Sequence, residues 1–162
     1  ALSLEIYRQL GFKNVTAIIG SKVVDWGSGA VAGDLSRGDA LFVLEADEYK
    51  EAFLNYHPFG AIVLNIDYDH PDYFSSPEEY KKAFEKFVAL IPATGFLIIG
   101  DDDETLAEVA RNAACKVVVV REEDREEFNS IVEKYEINEP CPYGNGKSAE
   151  KIIEIFKILK IM

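Results

Sequence analysis

Long apolar runs and a surplus of basic residues are both absent from this sequence. No run approaches the roughly 20 residues that a bilayer span requires, and the N-terminus has no basic region followed by an apolar stretch. The 17 basic residues are outnumbered by 29 acidic ones, for a formal charge of −12, which offers duplex nucleic acid or an anionic membrane little long-range attraction. Neither nucleic acid nor membrane is therefore expected as a partner.

Cysteine is scarce as well. Cys115 and Cys141 are the only two, and their spacing matches neither a metal-ligand motif nor a redox motif. Cys115 begins an apolar run that is typical of a buried strand. This cysteine usage fits a reducing compartment, and we expect the protein to be cytoplasmic.

Short apolar runs alternate with helical patterns along the chain, and hydrophobic residues make up 48% of it, enough for a sizeable core. The runs are rich in Val, Ile and Leu and predict buried strands at residues 15–19, 40–44, 61–66, 96–99 and 116–120. Apolar residues at helical spacing predict helices near residues 1–10, 76–91, 106–113, 128–135 and 147–160. Such alternation predicts an α/β fold with a mostly parallel, doubly wound sheet flanked by helices.

Ser76-Pro77-Glu78-Glu79 supplies an N-cap, a first-turn proline and a capping-box glutamate, and so marks the start of the helix near residues 76–91.

Two segments interrupt the alternation of strands and helices. The glycine-rich stretch 20–38 has no period and predicts a long surface loop or an excursion between the first two strands. Prolines and glycines crowd residues 136–147, which predicts a linker or a turn that carries the last helix across the sheet.

Acidic residues follow two of the predicted strands. Glu45-Ala46-Asp47-Glu48 ends the second, and Asn65 to Asp72, which includes His70, ends the third. Because this fold places ligands at the carboxyl ends of its strands, carboxylates and an imidazole there could hold a hard divalent cation on phosphate oxygens. The alternative is that the acids cap the following helices. We expect His57 to be structural.

These motifs resemble the signatures of the Mur ligase central domain over residues 1–120, most of all those of the branch that joins L-alanine to UDP-N-acetylmuramate. The matching residues are the E-A-D-E run, the N-I-x-x-D-H run from Asn65 to His70, and the Gly100-Asp101-Asp102-Asp103 turn. The resemblance implies an ATP-dependent carbon–nitrogen ligase that forms an acyl phosphate on a UDP-muramyl substrate. It implies that Glu45 and His70 hold magnesium, that Asn65 and Asp69 shape that site, and that Asp102 and Asp103 lie at the nucleotide.

The sequence also departs from the family pattern. The glycine-lysine phosphate loop that precedes the first helix in the family is missing, as is the domain that binds the amino acid, and Gly100 replaces a common asparagine. ATP would lose its main cradle without that loop. We therefore expect weak or absent binding of ATP and Mg²⁺, no catalytic residue, and little ligase activity by this chain without the missing domains or a partner chain.

The tail carries a second resemblance. Residues 139–157, with Pro142-Tyr143-Gly144 at their centre, are similar to the C-terminus of bacterial UDP-N-acetylglucosamine 2-epimerases. Two alternatives thus stay open, a UDP-sugar-binding domain of the epimerase or glycosyltransferase type, and a non-catalytic remnant that binds a partner. We expect residues 1–120 to form the ligase-like domain and residues 121–162 to pack on the same sheet.

Overall fold

Parallel strand pairing dominates the computed structural model of the chain, which describes residues 14–23, 27–38 and 40–121. The strands are β1 (Val15–Val23), β2 (Ser28–Val31), β3 (Leu41–Leu44), β4 (Gly60–Val63), β5 (Phe96–Gly100) and β6 (Lys116–Val120). The helices are α1 (Pro77–Ala89) and α2 (Glu104–Ala110), with a short 3₁₀ segment at Tyr49–Asn55. The predicted α/β class, with parallel strands flanked by helices, is confirmed.

The chain divides into two compact units, one of residues 46–125 and the other of residues 1–45 with 126–162. In the unit of residues 46–125, β4, β5 and β6 form a parallel sheet in that order. Leu97 of β5 pairs with Ala61 of β4 and with Val117 of β6. Residues from α1 and α2 bury one face of this sheet, where Leu97 and Leu106 have no exposed surface. The core of the unit of residues 46–125 therefore lies between that face of the sheet and the two helices.

In the other unit, β1 is the central strand of the order β2-β1-β3. β1 pairs parallel with β3 and antiparallel with β2, and the β1–β2 register shifts between Ile18 and Val23. Of the two alternatives for residues 20–38, an excursion describes this segment better than a loop, because the end of β1 and all of β2 lie within it and pair with each other. The backbone of β2 is hydrogen-bonded to β1. Its side chains alternate between exposed and half-buried, and few of them are apolar enough to mark the segment as a strand.

Helix α1 begins where its cap predicts. The Ser76 hydroxyl accepts the Glu79 N–H at 3.2 Å, while the Glu79 carboxylate accepts the N–H and hydroxyl of Ser75 at 2.9 and 2.8 Å. The reciprocal half of the capping box is thus displaced by one residue. The Ser75 N–H, followed by its hydroxyl, lowers the pKa of Glu79, so its negative charge persists beside the positive end of the helix dipole.

Several predicted features lie outside the described residues, namely the helices near residues 1–10, 128–135 and 147–160 and the epimerase-like tail. The domain boundary at residue 120 stays a prediction. Neither α1 nor α2, the helices in the described part of the chain, has the length and apolar character that a membrane crossing demands.

Candidate functional site

An open cleft of about 390 Å³ lies at the carboxyl ends of β4 and β5. It is lined by Leu64, Asn65, Asp67, Asp102, Asp103 and Glu104. Three of the four residues predicted to bind the cofactors, Asn65, Asp102 and Asp103, therefore share one cleft. Its carboxylates favour a cation and oppose a bare polyphosphate.

Asp103 joins the two loops of that cleft. One carboxylate oxygen caps α2 by accepting the Leu106 N–H at 2.9 Å, and the other accepts the Ile66 N–H at 2.7 Å. Because Ile66 bonds to this side chain, β4 ends at Val63 and not at residue 66 as predicted. The capping alternative thus describes what Asp103 does here, and its contact with a nucleotide stays a prediction.

His70 is held in a left-handed backbone conformation, with φ of 55°. Its carbonyl accepts the N–H groups of Tyr73 and Phe74 at 2.9 and 3.0 Å, and its own N–H donates to the Asp69 carboxylate at 2.6 Å. A residue other than glycine in the left-handed conformation costs conformational energy, which the surrounding turn must offset. Asp69 thus accepts a hydrogen bond from the backbone of His70, and its predicted role in shaping a magnesium site stays a prediction.

The His70 ring is fixed by two neighbours. Its Nε2 lies 3.1 Å from Oε1 of Glu48, and its centroid is 4.7 Å from that of the Tyr49 ring. The hydroxyl of Tyr80 donates to the same Glu48 oxygen at 3.4 Å. Burial, followed by the nearby Glu48 carboxylate, raises the pKa of Tyr80 to about 12, so this hydroxyl keeps its proton.

Tyr49 is anchored in turn by Asp72. The Tyr49 hydroxyl donates to Oδ2 of Asp72 at 2.6 Å. This hydrogen bond raises the pKa of Tyr49 and lowers the pKa of Asp72. The tyrosine therefore stays neutral and the aspartate ionised, which keeps the ring beside His70 in place.

Glu45 belongs to the other unit, where it follows β3. Its backbone N–H continues the β1–β3 pairing by donating to Ile18 at 2.9 Å, and its exposed carboxylate accepts the Gly20 N–H at 2.8 Å. No group of three or more His, Cys, Asp or Glu side chains converges within the described ranges. The proposed roles of Glu45 and His70 as magnesium ligands therefore stay predictions.

Comparison with known proteins decides the family. The model of the Mur ligase middle domain matches residues 11–149, which is most of the chain. This chain belongs to the Mur ligase family. The resemblance drawn from its strand-end motifs is confirmed.

Relatives of this Mur ligase domain include two enzymes named UDP-N-acetylmuramate–L-alanine ligase. The one from Clostridium acetobutylicum is 48% identical over 91 residues, 52% of this chain and 20% of the relative. The one from Rubrobacter xylanophilus is 42% identical over 110 residues, 68% of this chain and 24% of the relative. The chain thus spans between a fifth and a quarter of the length of these relatives.

Solved structures agree on the fold of the Mur ligase domain. A UDP-N-acetylmuramate:L-alanyl-γ-D-glutamyl-meso-diaminopimelate ligase from Neisseria meningitidis gives a TM-score of 0.62 at 21% identity, over 73% of this chain and 40% of the other. A murein peptide ligase from Psychrobacter arcticus gives 0.52 at 23% identity, over 74% and 28%. At such identities the likeness shows the fold alone.

The sequence pattern did not single out Tyr49 or Tyr80, and it placed Glu48 and Asp72 only within the acidic strand ends. Tyr80 lies within the helix predicted near residues 76–91, and it is 5% exposed on α1. A tyrosine on a buried stripe needs a partner for its hydroxyl, and that requirement was the available signal. Its partner is 32 positions away in the chain, a separation that no local pattern specifies.

Proposed function

We propose that this domain handles ATP and magnesium in a ligase that joins L-alanine to UDP-N-acetylmuramate. The observation that carries the proposal is the family match over residues 11–149, a range that contains Glu45, Asn65, Asp69 and His70. The relatives named for that reaction and the acidic cleft support it. ATP and UDP-muramyl substrates belong to the cytoplasm, where we place the protein and its role in peptidoglycan synthesis.

The proposed reaction proceeds through an acyl phosphate. A carboxylate oxygen of the muramyl substrate attacks the γ-phosphorus of ATP and ADP leaves; the amine of L-alanine then attacks the acyl carbon, phosphate leaves, and the amine loses a proton. Magnesium, when bound, neutralises charge on the transferring phosphoryl group. Such a cation lets a polyphosphate approach an acidic cleft that would otherwise repel it.

The chain's own residues have distinct proposed roles. Glu45 and His70 are each proposed as a magnesium ligand, through a carboxylate oxygen and a ring nitrogen. Asn65 and Asp102, which line the cleft, are proposed to face the nucleotide. Asp103 holds the cleft's two loops together through its bonds to Ile66 and Leu106.

Binding of Mn²⁺ in the presence of ATP tests the proposed ligands, with Mn²⁺ as a spectroscopic substitute for Mg²⁺. We expect Glu45→Ala and His70→Ala each to weaken binding by about ten-fold or more, because each removes a ligand. Titration followed by the electron paramagnetic resonance of free Mn²⁺ measures this. Glu78→Ala, which removes an exposed carboxylate from the first turn of α1, is the matched control and is expected to bind as the parent does. Measurable binding of equal affinity in all four proteins would show that Glu45 and His70 are not the ligands and would favour the non-catalytic remnant.

Ligase turnover by the 162-residue chain alone is expected to be undetectable. The chain spans a fifth to a quarter of the relatives that carry the whole activity, and phosphoryl transfer requires several parts to be positioned at once. Phosphate release is measured with UDP-N-acetylmuramate, L-alanine, ATP and Mg²⁺, against Glu45→Ala as background. Release well above that background would show that these residues suffice for the chemistry.

A further inference from the structure

A buried tyrosine directs its hydroxyl at a carboxylate that already contacts a histidine. Tyr80 is 5% exposed on the core side of α1, surrounded by the rings of Tyr68, Phe74 and Phe84 at 6.0, 5.0 and 5.1 Å. Its hydroxyl reaches Oε1 of Glu48, the oxygen that faces His70. The packed helix therefore fixes the carboxylate, and the carboxylate meets the imidazole.

The direction of these bonds defines the tautomer of His70. A carboxylate can only accept hydrogen bonds, so Nε2 of His70 must carry the proton that lies toward Glu48. In the neutral ring the lone pair is then on Nδ1. Histidines that bind metals are commonly oriented in this way, by donating their other N–H to a carboxylate.

We propose that Glu48 is a positioning residue that fixes the ring of His70 as the Nε2–H tautomer and presents Nδ1 to the cation, with Tyr80 holding Glu48 in place. The inference rests on the proposed function in one respect, that His70 is a magnesium ligand. Glu48 itself does not contact the cation. It acts on metal affinity by keeping the imidazole in one orientation.

Two features distinguish this arrangement from an ordinary surface ion pair. The side chains of His70 and Glu48 are only 31% and 27% exposed, and the ring also lies against Tyr49, which Asp72 anchors. The backbone of His70 is held in a left-handed turn by three hydrogen bonds. Ring, carboxylate and backbone are thus all fixed before any ligand arrives, as preorganised sites require.

Nitrogen-15 NMR of the histidine rings tests the proposal in the 162-residue chain. The chain has two histidines, so exposed His57 serves as an internal reference, and a spectrum of His57→Gln assigns the signals. At about pH 8.5 we expect His70 in the Nε2–H form. Glu48→Ala is expected to shift the ring toward a mixture of tautomers and to raise the Mn²⁺ concentration that half-broadens its signals by about ten-fold.

Two further variants separate orientation from folding. Glu48→Gln keeps an acceptor oxygen and is expected to retain the Nε2–H tautomer, while Tyr80→Phe keeps the packing and is expected to give a partial loss. An Nδ1–H tautomer in the parent chain, or His70 signals unchanged by Glu48→Ala, would overturn the proposal. If the tautomer responds as expected but Mn²⁺ with ATP never broadens His70 beyond His57, the positioning by Glu48 stands and the ligand role in the proposed function fails.

Discussion

Leu97→Ala is expected to lower the free energy of unfolding by about 2–5 kcal/mol, the usual cost of deleting a buried leucine side chain. Leu97 has no exposed surface and lies on β5, the central strand of its sheet. It packs in the cluster that includes Val88, Ile91 and Leu106. The cavity would therefore open in the middle of the core, where neighbours cannot collapse without moving the strands. Urea unfolding followed by far-ultraviolet circular dichroism measures the change.

Leu64→Ala supplies the control for that measurement. Leu64 follows β4 in the same unit and is 79% exposed, so the same chemical change is expected to alter stability by no more than about 0.5 kcal/mol. A comparable loss in both variants would mean that Leu97 is not the core residue that its burial indicates.

Gly95→Ala is expected to destabilise the start of β5 by about 1–3 kcal/mol or more, the range for overpacked sites. A Cβ at residue 95 would clash with the Phe59 carbonyl oxygen and would lie 2.9 Å from Cγ2 of Ile91. That carbonyl accepts the Phe96 N–H at 3.2 Å, at the end of the sheet where β4 and β5 begin to pair. Backbone would have to shift, because the obstacle is not the end of a flexible side chain.

Hydrogen exchange at the amides of Leu97, Ile98 and Ile99 measures this effect locally. Protection is expected to fall in Gly95→Ala and to stay unchanged in Gly38→Ala, since a Cβ at Gly38 meets nothing within 4 Å. Unaltered protection in Gly95→Ala would show that the turn at residues 92–95 yields easily.

The elements that the sequence predicts well are those with strong local signals. Strand β6 begins and ends as its valine run predicts, and α1 begins at its serine–proline cap. Strand β2 was not predicted because Ser28, Gly29 and Ala30 give its sequence no clear alternation of apolar and polar residues. Its backbone pairing depends on the neighbouring strand instead of on local propensity.

The sequence indicates the region of the candidate site, but it does not indicate which side chains contact one another there. Residues that follow β4 and β5 line the cleft, since parallel strands deliver their following loops to one edge; that the cleft binds a nucleotide stays a prediction. Which carboxylate meets His70 was not predictable, because the chain offers Asp67, Asp69 and Asp72 nearby and Glu48 lies 22 positions away. In the structure Glu48 meets His70 and also accepts the hydroxyl of Tyr80, whose ring is packed among other aromatic rings.

The order of strands in the sheet of β4, β5 and β6 has a consequence for how the sheet assembles. Each strand pairs with the next one along the chain, and the segment that joins β5 to β6 is about half as long as the one that joins β4 to β5. Halving a loop reduces the entropy cost of closing it by about 0.6 kcal/mol. On closure entropy alone, β5 and β6 with α2 between them are thus the easier pair to bring together. Pairing β4 with β5, whose connecting segment contains Asn65 and His70, carries the greater entropic cost.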